Sequence, residues 1–123
     1  MGSHTILLLC IVLSAIQLVL GKYWEFGAVN IPGSVVVAHN EGYMGLFDHT
    51  KYITLSVPQC YTMTYVKVKV KNLISTPTVQ FNHNTNVVQI HYNLLQNSLS
   101  SYDIVGKAAR KPGCTVVPPR PPY

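Results

Sequence analysis

Acidic residues are scarce in this chain. Glu25, Glu41, Asp48 and Asp103 are the only four among 123 residues. No two of them share a motif, so a glycosidase-type pair of carboxylates would have to be assembled by the fold. The sequence also has no G-x-S-x-G nucleophile elbow and no H-E-x-x-H metal motif. It has no N-x-S/T sequon, which predicts a chain without N-glycan. No stretch shows the period of an amphipathic helix. Cysteines number three, and two that lie as far apart as Cys60 and Cys114 form no zinc ligand pair. His39, His49, His83 and His91 read as solvated surface residues, none at metal-ligand spacing from another histidine or an acid. These absences predict a non-enzymatic protein with no metal and no cofactor.

The N-terminus is a targeting segment. MGSHTILLLCIVLSAIQLVLG opens on a short polar start. An apolar run from Ile6 to Leu20 follows, interrupted only by Ser14 and Gln17. Val19 and Gly21 suit the positions before a signal-peptidase cut, so residues 1–21 are expected to leave before Lys22. The run is shorter than the roughly 20 residues that span a bilayer, and no basic stop-transfer cluster follows it. The expectation is a secreted, extracellular protein without a transmembrane anchor.

Cys10 leaves with that segment. Cys60 and Cys114 remain, an even number in an oxidising compartment, and are predicted to pair. All nine Lys and Arg and all four acids lie beyond Gly21, so the mature chain keeps the net charge of +5. That balance suits solubility and favours anionic surfaces.

The mature chain reads as short strands between turn signals. KYWEFGAV, SVVVAH, YITLSV, CYTMTYVKVKVKNL, TPTVQF, VVQIHYNLL and YDIVGKA are rich in β-branched and aromatic residues. Pro32-Gly33, the EGYMG stretch, Pro58, NHNTN and QNSLSS punctuate them. In VVQIHYNLL, Val88, Ile90, Tyr92 and Leu94 are expected on one face. The predicted fold is all-β, a small antiparallel β-sandwich or curved barrel-like sheet over residues 22–110. Residues 111–123 form a Pro-rich tail tied back by the disulfide, and Pro118, Pro119, Pro121 and Pro122 predict an extended, polyproline-like end.

YVKVKVK is the sharpest local pattern. Strict alternation points Val66, Val68 and Val70 inward and Lys67, Lys69 and Lys71 outward. The lysines read first as protection of an edge or solvent face. The rival reading is an anion-binding ridge, since alternate strand residues recur at roughly 6.6–6.8 Å. Nucleic acid is not expected, because the face lacks aromatic interleaving. Tyr23, Trp24 and Phe26 are expected to fill one end of the sandwich, or else to present a binding patch.

Three stretches carry a family resemblance: Thr64 to Val70, Val87 to Leu94 and Tyr102 to Gly106. Their order and residue character are similar to those of insect MBF2-type proteins, among them many salivary secreted peptides. This chain has TPTVQFNHNTN where that family commonly has a glycine-rich turn, and it adds a cysteine and a proline tail. The resemblance implies an insect extracellular protein with a β-rich fold. It carries over no catalytic or binding residue. The function expected is extracellular binding, to an unknown protein partner or an anionic surface. The alternatives are a basic host-defence effector on anionic microbial surfaces and a carrier of a small apolar ligand.

Overall fold

The computed structural model describes residues 21–114. The expected signal peptide, apart from Gly21, and the four tail prolines from Pro118 to Pro122 lie outside the described residues. Seven strands follow in order: β1 Lys22–Gly27, β2 Val35–Met44, β3 Thr50–Thr54, β4 Tyr61–Lys71, β5 Thr78–Asn82, β6 Val87–His91 and β7 Ser100–Arg110. They form two separate antiparallel sheets, not one closed barrel. The larger has the order β1-β4-β7-β2 and the smaller β3-β6-β5.

The alternation that predicts each strand also builds the core. Val66, Val68, Ile104, Val88, Ile90 and Tyr92 have no exposed surface and fill the space between the sheets. Trp24 and Phe26 pack against them from β1, and Phe26 meets Phe81 of the opposite sheet with ring centroids 6.1 Å apart. Tyr23 has the opposite parity and leaves the core, so only two of the three N-terminal aromatics fill the sandwich. At the end of β1 the chain turns at Gly27, whose φ is +87°. A side chain there would collide with the carbonyl oxygen of Thr64.

Three of the four connections between the sheets gather at one end. The β2–β3, β4–β5 and β6–β7 connections all lie there, because β2 and β4 finish where β7 begins: Met44 pairs with Ser100, and Lys71 with Ser101. The other end holds the β5–β6 hairpin and the disulfide between Cys60 and Cys114, Cα atoms 5.5 Å apart. Lys111 N donates to Cys60 O at 2.7 Å beside it.

Two expectations are corrected. Asn40 to Met44 is not a loop; it continues β2, paired through Met44. Leu94 does not extend the buried face of β6, because the strand stops at His91 and Leu94 sits in a turn. The lysine strand, open to either an edge or a solvent-face reading, is interior: β4 lies between β1 and β7, which leaves its lysines the solvent face of the sheet.

Candidate functional site

Cross-strand register sets out the solvent face of the larger sheet row by row. One row reads Tyr23, Lys69, Asp103, Glu41 across β1, β4, β7 and β2. The next reads Glu25, Lys67, Val105, His39, and Lys71 lies opposite Ser101 and in line with Tyr43. Residues directly opposite share a face and lie close enough to interact. Three of the chain's four acids therefore sit on the same face as the lysine row. Lys67 and Lys69 also clasp the ring of Tyr23, with Nζ at 4.6 and 5.4 Å from its centroid. With Lys107 added from β7, four lysines face three carboxylates. The row is a charge-laced sheet surface and not a uniformly positive ridge.

The same face brings together a cluster that was not expected. His39 and Glu41 are two residues apart on β2 and so point the same way. His39 Nε2 lies 2.7 Å from Asp103 Oδ1 and 3.3 Å from Glu41 Oε1. Their ligand atoms all fall within 4.8 Å of one another, a spacing that admits a cation. The group is exposed, and Lys69 stands opposite Asp103 in the register. The H-x-E pattern on a strand was the only sequence signal for it; Asp103 joins through long-range pairing. Of the other histidines, His91 faces outward as expected and meets Thr50 Oγ1 at 2.8 Å through Nδ1. His83 lies in the hairpin turn, edge-on to Phe81. His49 departs from the solvated role, since its Nδ1 is buried without a hydrogen-bond partner.

The most unusual surface is the loop end. Each of the three crossing loops at this end carries an apolar pair at the tip of a tight turn. In Gly45-Leu46-Phe47-Asp48, Asp48 N donates to Gly45 O at 3.1 Å, and Asp48 Oδ2 accepts from Gly45 N at 2.8 Å. In Asn72-Leu73-Ile74-Ser75, Asn72 Oδ1 accepts from both Ile74 N and Ser75 N at 2.9 Å. In Asn93-Leu94-Leu95-Gln96, Gln96 N donates to Asn93 O at 3.0 Å, and Gln96 Oε1 accepts from Asn93 N at 2.8 Å. Turn corners normally take Gly, Pro, Asn or Asp. Here Gly45, Asp48, Asn72 and Asn93 stand at the ends of the turns with Ser75 and Gln96, and large apolar side chains fill the corners. Phe47 is 85% exposed, Ile74 77%, Leu94 84% and Leu95 fully exposed. Leu99 and Tyr43 add exposed apolar surface beside them.

These tips are held together. Asn72 Nδ2 donates to Asn97 O at 2.7 Å and to Tyr92 Oη at 3.2 Å. The buried hydroxyl of Ser98 lies 2.7 Å from Gly45 O and 2.8 Å from Leu46 O. Gln96 Nε2 donates to Thr76 O at 3.0 Å, and Asn97 N to Ser75 Oγ at 3.0 Å. Two lysines border the loop that carries Leu73 and Ile74. Lys22 Nζ donates to Thr76 Oγ1 at 2.6 Å, and Lys71 borders the cleft formed with Leu73, Ile74 and Leu99. The acid within these loops, Asp48, is bonded into its own turn.

Among the described residues there is no helix long and apolar enough to cross a membrane. No family model, no curated protein and no solved structure matches the chain.

Proposed function

We propose that this protein is a secreted, non-enzymatic binding protein that docks by its loop end onto an anionic lipid bilayer. The observation that carries the reading is the triple set of apolar turn tips, Leu46-Phe47, Leu73-Ile74 and Leu94-Leu95, braced by part-buried and exposed hydrogen bonds and bordered by Lys22 and Lys71. Clusters of exposed large apolar side chains mark interaction sites. Separate projecting tips suit a fluid interface, which closes around each side chain, better than a rigid partner, which would need a matching socket for each. Each of these side chains contributes roughly 1.5–3 kcal/mol if fully removed from water. A lysine near an anionic leaflet adds about 1 kcal/mol. Lys22 and Lys71 supply that charge next to the tips. A carrier of a small apolar ligand has less support, since valine, isoleucine and tyrosine side chains occupy the space between the sheets.

Vesicle co-sedimentation tests the reading. The mature protein should pellet with phosphatidylcholine–phosphatidylserine vesicles, more weakly at high salt, and less with phosphatidylcholine alone. Phe47→Ser combined with Leu95→Ser should reduce binding by at least about tenfold, equivalent to about 1.4 kcal/mol. Equal pelleting of wild type and this variant would exclude the tips as the docking element.

A further inference from the structure

The outer face of the smaller sheet differs from every other surface of the molecule. Register places three rows on it: Thr50, His91 and Thr78; Tyr52, Gln89 and Gln80; Thr54, Val87 and Asn82. Not one of these nine residues is a lysine, arginine, aspartate or glutamate. The lysine of β3, Lys51, has inward parity and reaches over the Tyr102 ring at 6.0 Å. The hairpin His83-Asn84-Thr85-Asn86 borders the far end of this face. Asn84 N donates to Asn82 Oδ1 at 2.9 Å, and Asn86 takes a left-handed φ of 56°. This face and the hairpin form an open cleft of about 640 Å³, lined by Tyr52, Gln80, Gln89, Asn82 and the hairpin residues His83, Asn84 and Thr85, within the roughly 300–1,000 Å³ typical of small-ligand sites.

We infer that this cleft binds an uncharged glycan, with Tyr52 as the stacking platform and Gln80, Gln89 and Asn82 as the polar contacts. Tyr52 is 66% exposed at the centre of an edge strand. Its ring offers an apolar face to the C–H bonds of a sugar ring. Gln89 and Gln80 follow in the same row at the strand spacing of about 4.8 Å. Each amide offers two N–H donors and an acceptor, the complement of neighbouring sugar hydroxyls. Among the described residues, neither amide has a hydrogen-bond partner within the protein, so both are available. An anionic ligand would find no cation on the face, and a cationic one no carboxylate. A nucleic acid would lack phosphate contacts. Asn82 and the hairpin lie at the end of the sandwich away from the apolar tips, so this site works independently of bilayer docking.

The test is NMR titration of the ¹⁵N-labelled mature protein with cellohexaose, chitohexaose, xylohexaose, laminarihexaose and mannohexaose at millimolar concentrations. The expected result is saturable shifts with at least one of them, confined to β3, β5, β6 and the 83–86 hairpin. Tyr52→Ala should weaken that binding at least about tenfold, and Gln89→Ala by several-fold, while Tyr52→Phe retains it. Phe47→Ser and Leu95→Ser should leave it unchanged. Unchanged far-UV circular dichroism in each variant separates loss of binding from loss of fold. No shifts with any of the five sugars, or binding that survives Tyr52→Ala, would overturn the inference.

Discussion

Lys69 of β4 stands directly across from Asp103 of β7, and this pairing changes what the lysine row can do. The row looks like a ridge of three like charges when β4 is read alone. Within the sheet, Glu25, Asp103 and Glu41 lie on the same face, and Tyr23 covers Lys67 and Lys69. Asp103→Asn should therefore raise the salt concentration at which the protein elutes from heparin. Adding Glu41→Gln should raise it further. Elution unchanged in both variants would mean that the carboxylates do not offset the row.

How much of this arrangement was readable from the chain differs from element to element. The strands were, because period-2 alternation in YVKVKVK and VVQIH is a local signal and the buried valines obey it. The apolar tips were not. The hydrophobic pattern carries Asn-Leu-Leu and Asn-Leu on as continuations of their strands, since apolar residues ordinarily count as inward-facing. The informative feature is the bracketing of each pair by polar residues or glycine, most of them turn formers: Gly45 and Asp48, Asn72 and Ser75, Asn93 and Gln96. The cluster of His39, Glu41 and Asp103 depends on the pairing of β2 with β7, which no local pattern encodes.

Asn72 is the hub of the loop end, donating to Tyr92 and Asn97 and accepting from Ile74 and Ser75. Asn72→Ala should lower unfolding stability by about 2–3 kcal/mol, since partners in a part-buried network lose their bonds together. Denaturant unfolding measures the loss. Hydrogen exchange should accelerate first at Ile74, Ser75 and Asn97. A loss below about 0.5 kcal/mol, the scale of an ordinary surface substitution, would show that the tips are held by other contacts.

The disulfide clamps the opposite end. Cys60 and Cys114 are 54 residues apart, and the chain-entropy account assigns such a loop roughly 4 kcal/mol. Replacing both cysteines with alanine should cost about that much in denaturant unfolding. Vesicle binding of the folded fraction should persist, because the tips lie at the other end. Loss of vesicle binding without unfolding would contradict this separation of roles.

Tyr65 gives the protein an alkaline limit. Burial, then the charge of Glu25 and a hydrogen bond to it, hold its hydroxyl above the ordinary value of 10.0. In the unfolded chain the phenol ionises near pH 10. Above that pH the folded chain keeps a proton that the unfolded chain has lost. Its contribution to stability is complete below about pH 10 and declines as pH rises through the folded value. Tyr65→Phe should flatten that decline in unfolding experiments at alkaline pH. An identical slope in the variant would remove Tyr65 as its source.

Bilayer docking by the loop tips is the central claim, and the tryptophan fluorescence of Phe47→Trp tests it most directly. The native Trp24 packs against the core and supplies a constant background. With phosphatidylserine-containing vesicles, the emission of the Phe47→Trp protein should shift to the blue and be quenched by brominated acyl chains. A Thr54→Trp control, at the far end of the smaller sheet, should show neither change. Emission from position 47 that stays unshifted and unquenched at low salt would contradict the account.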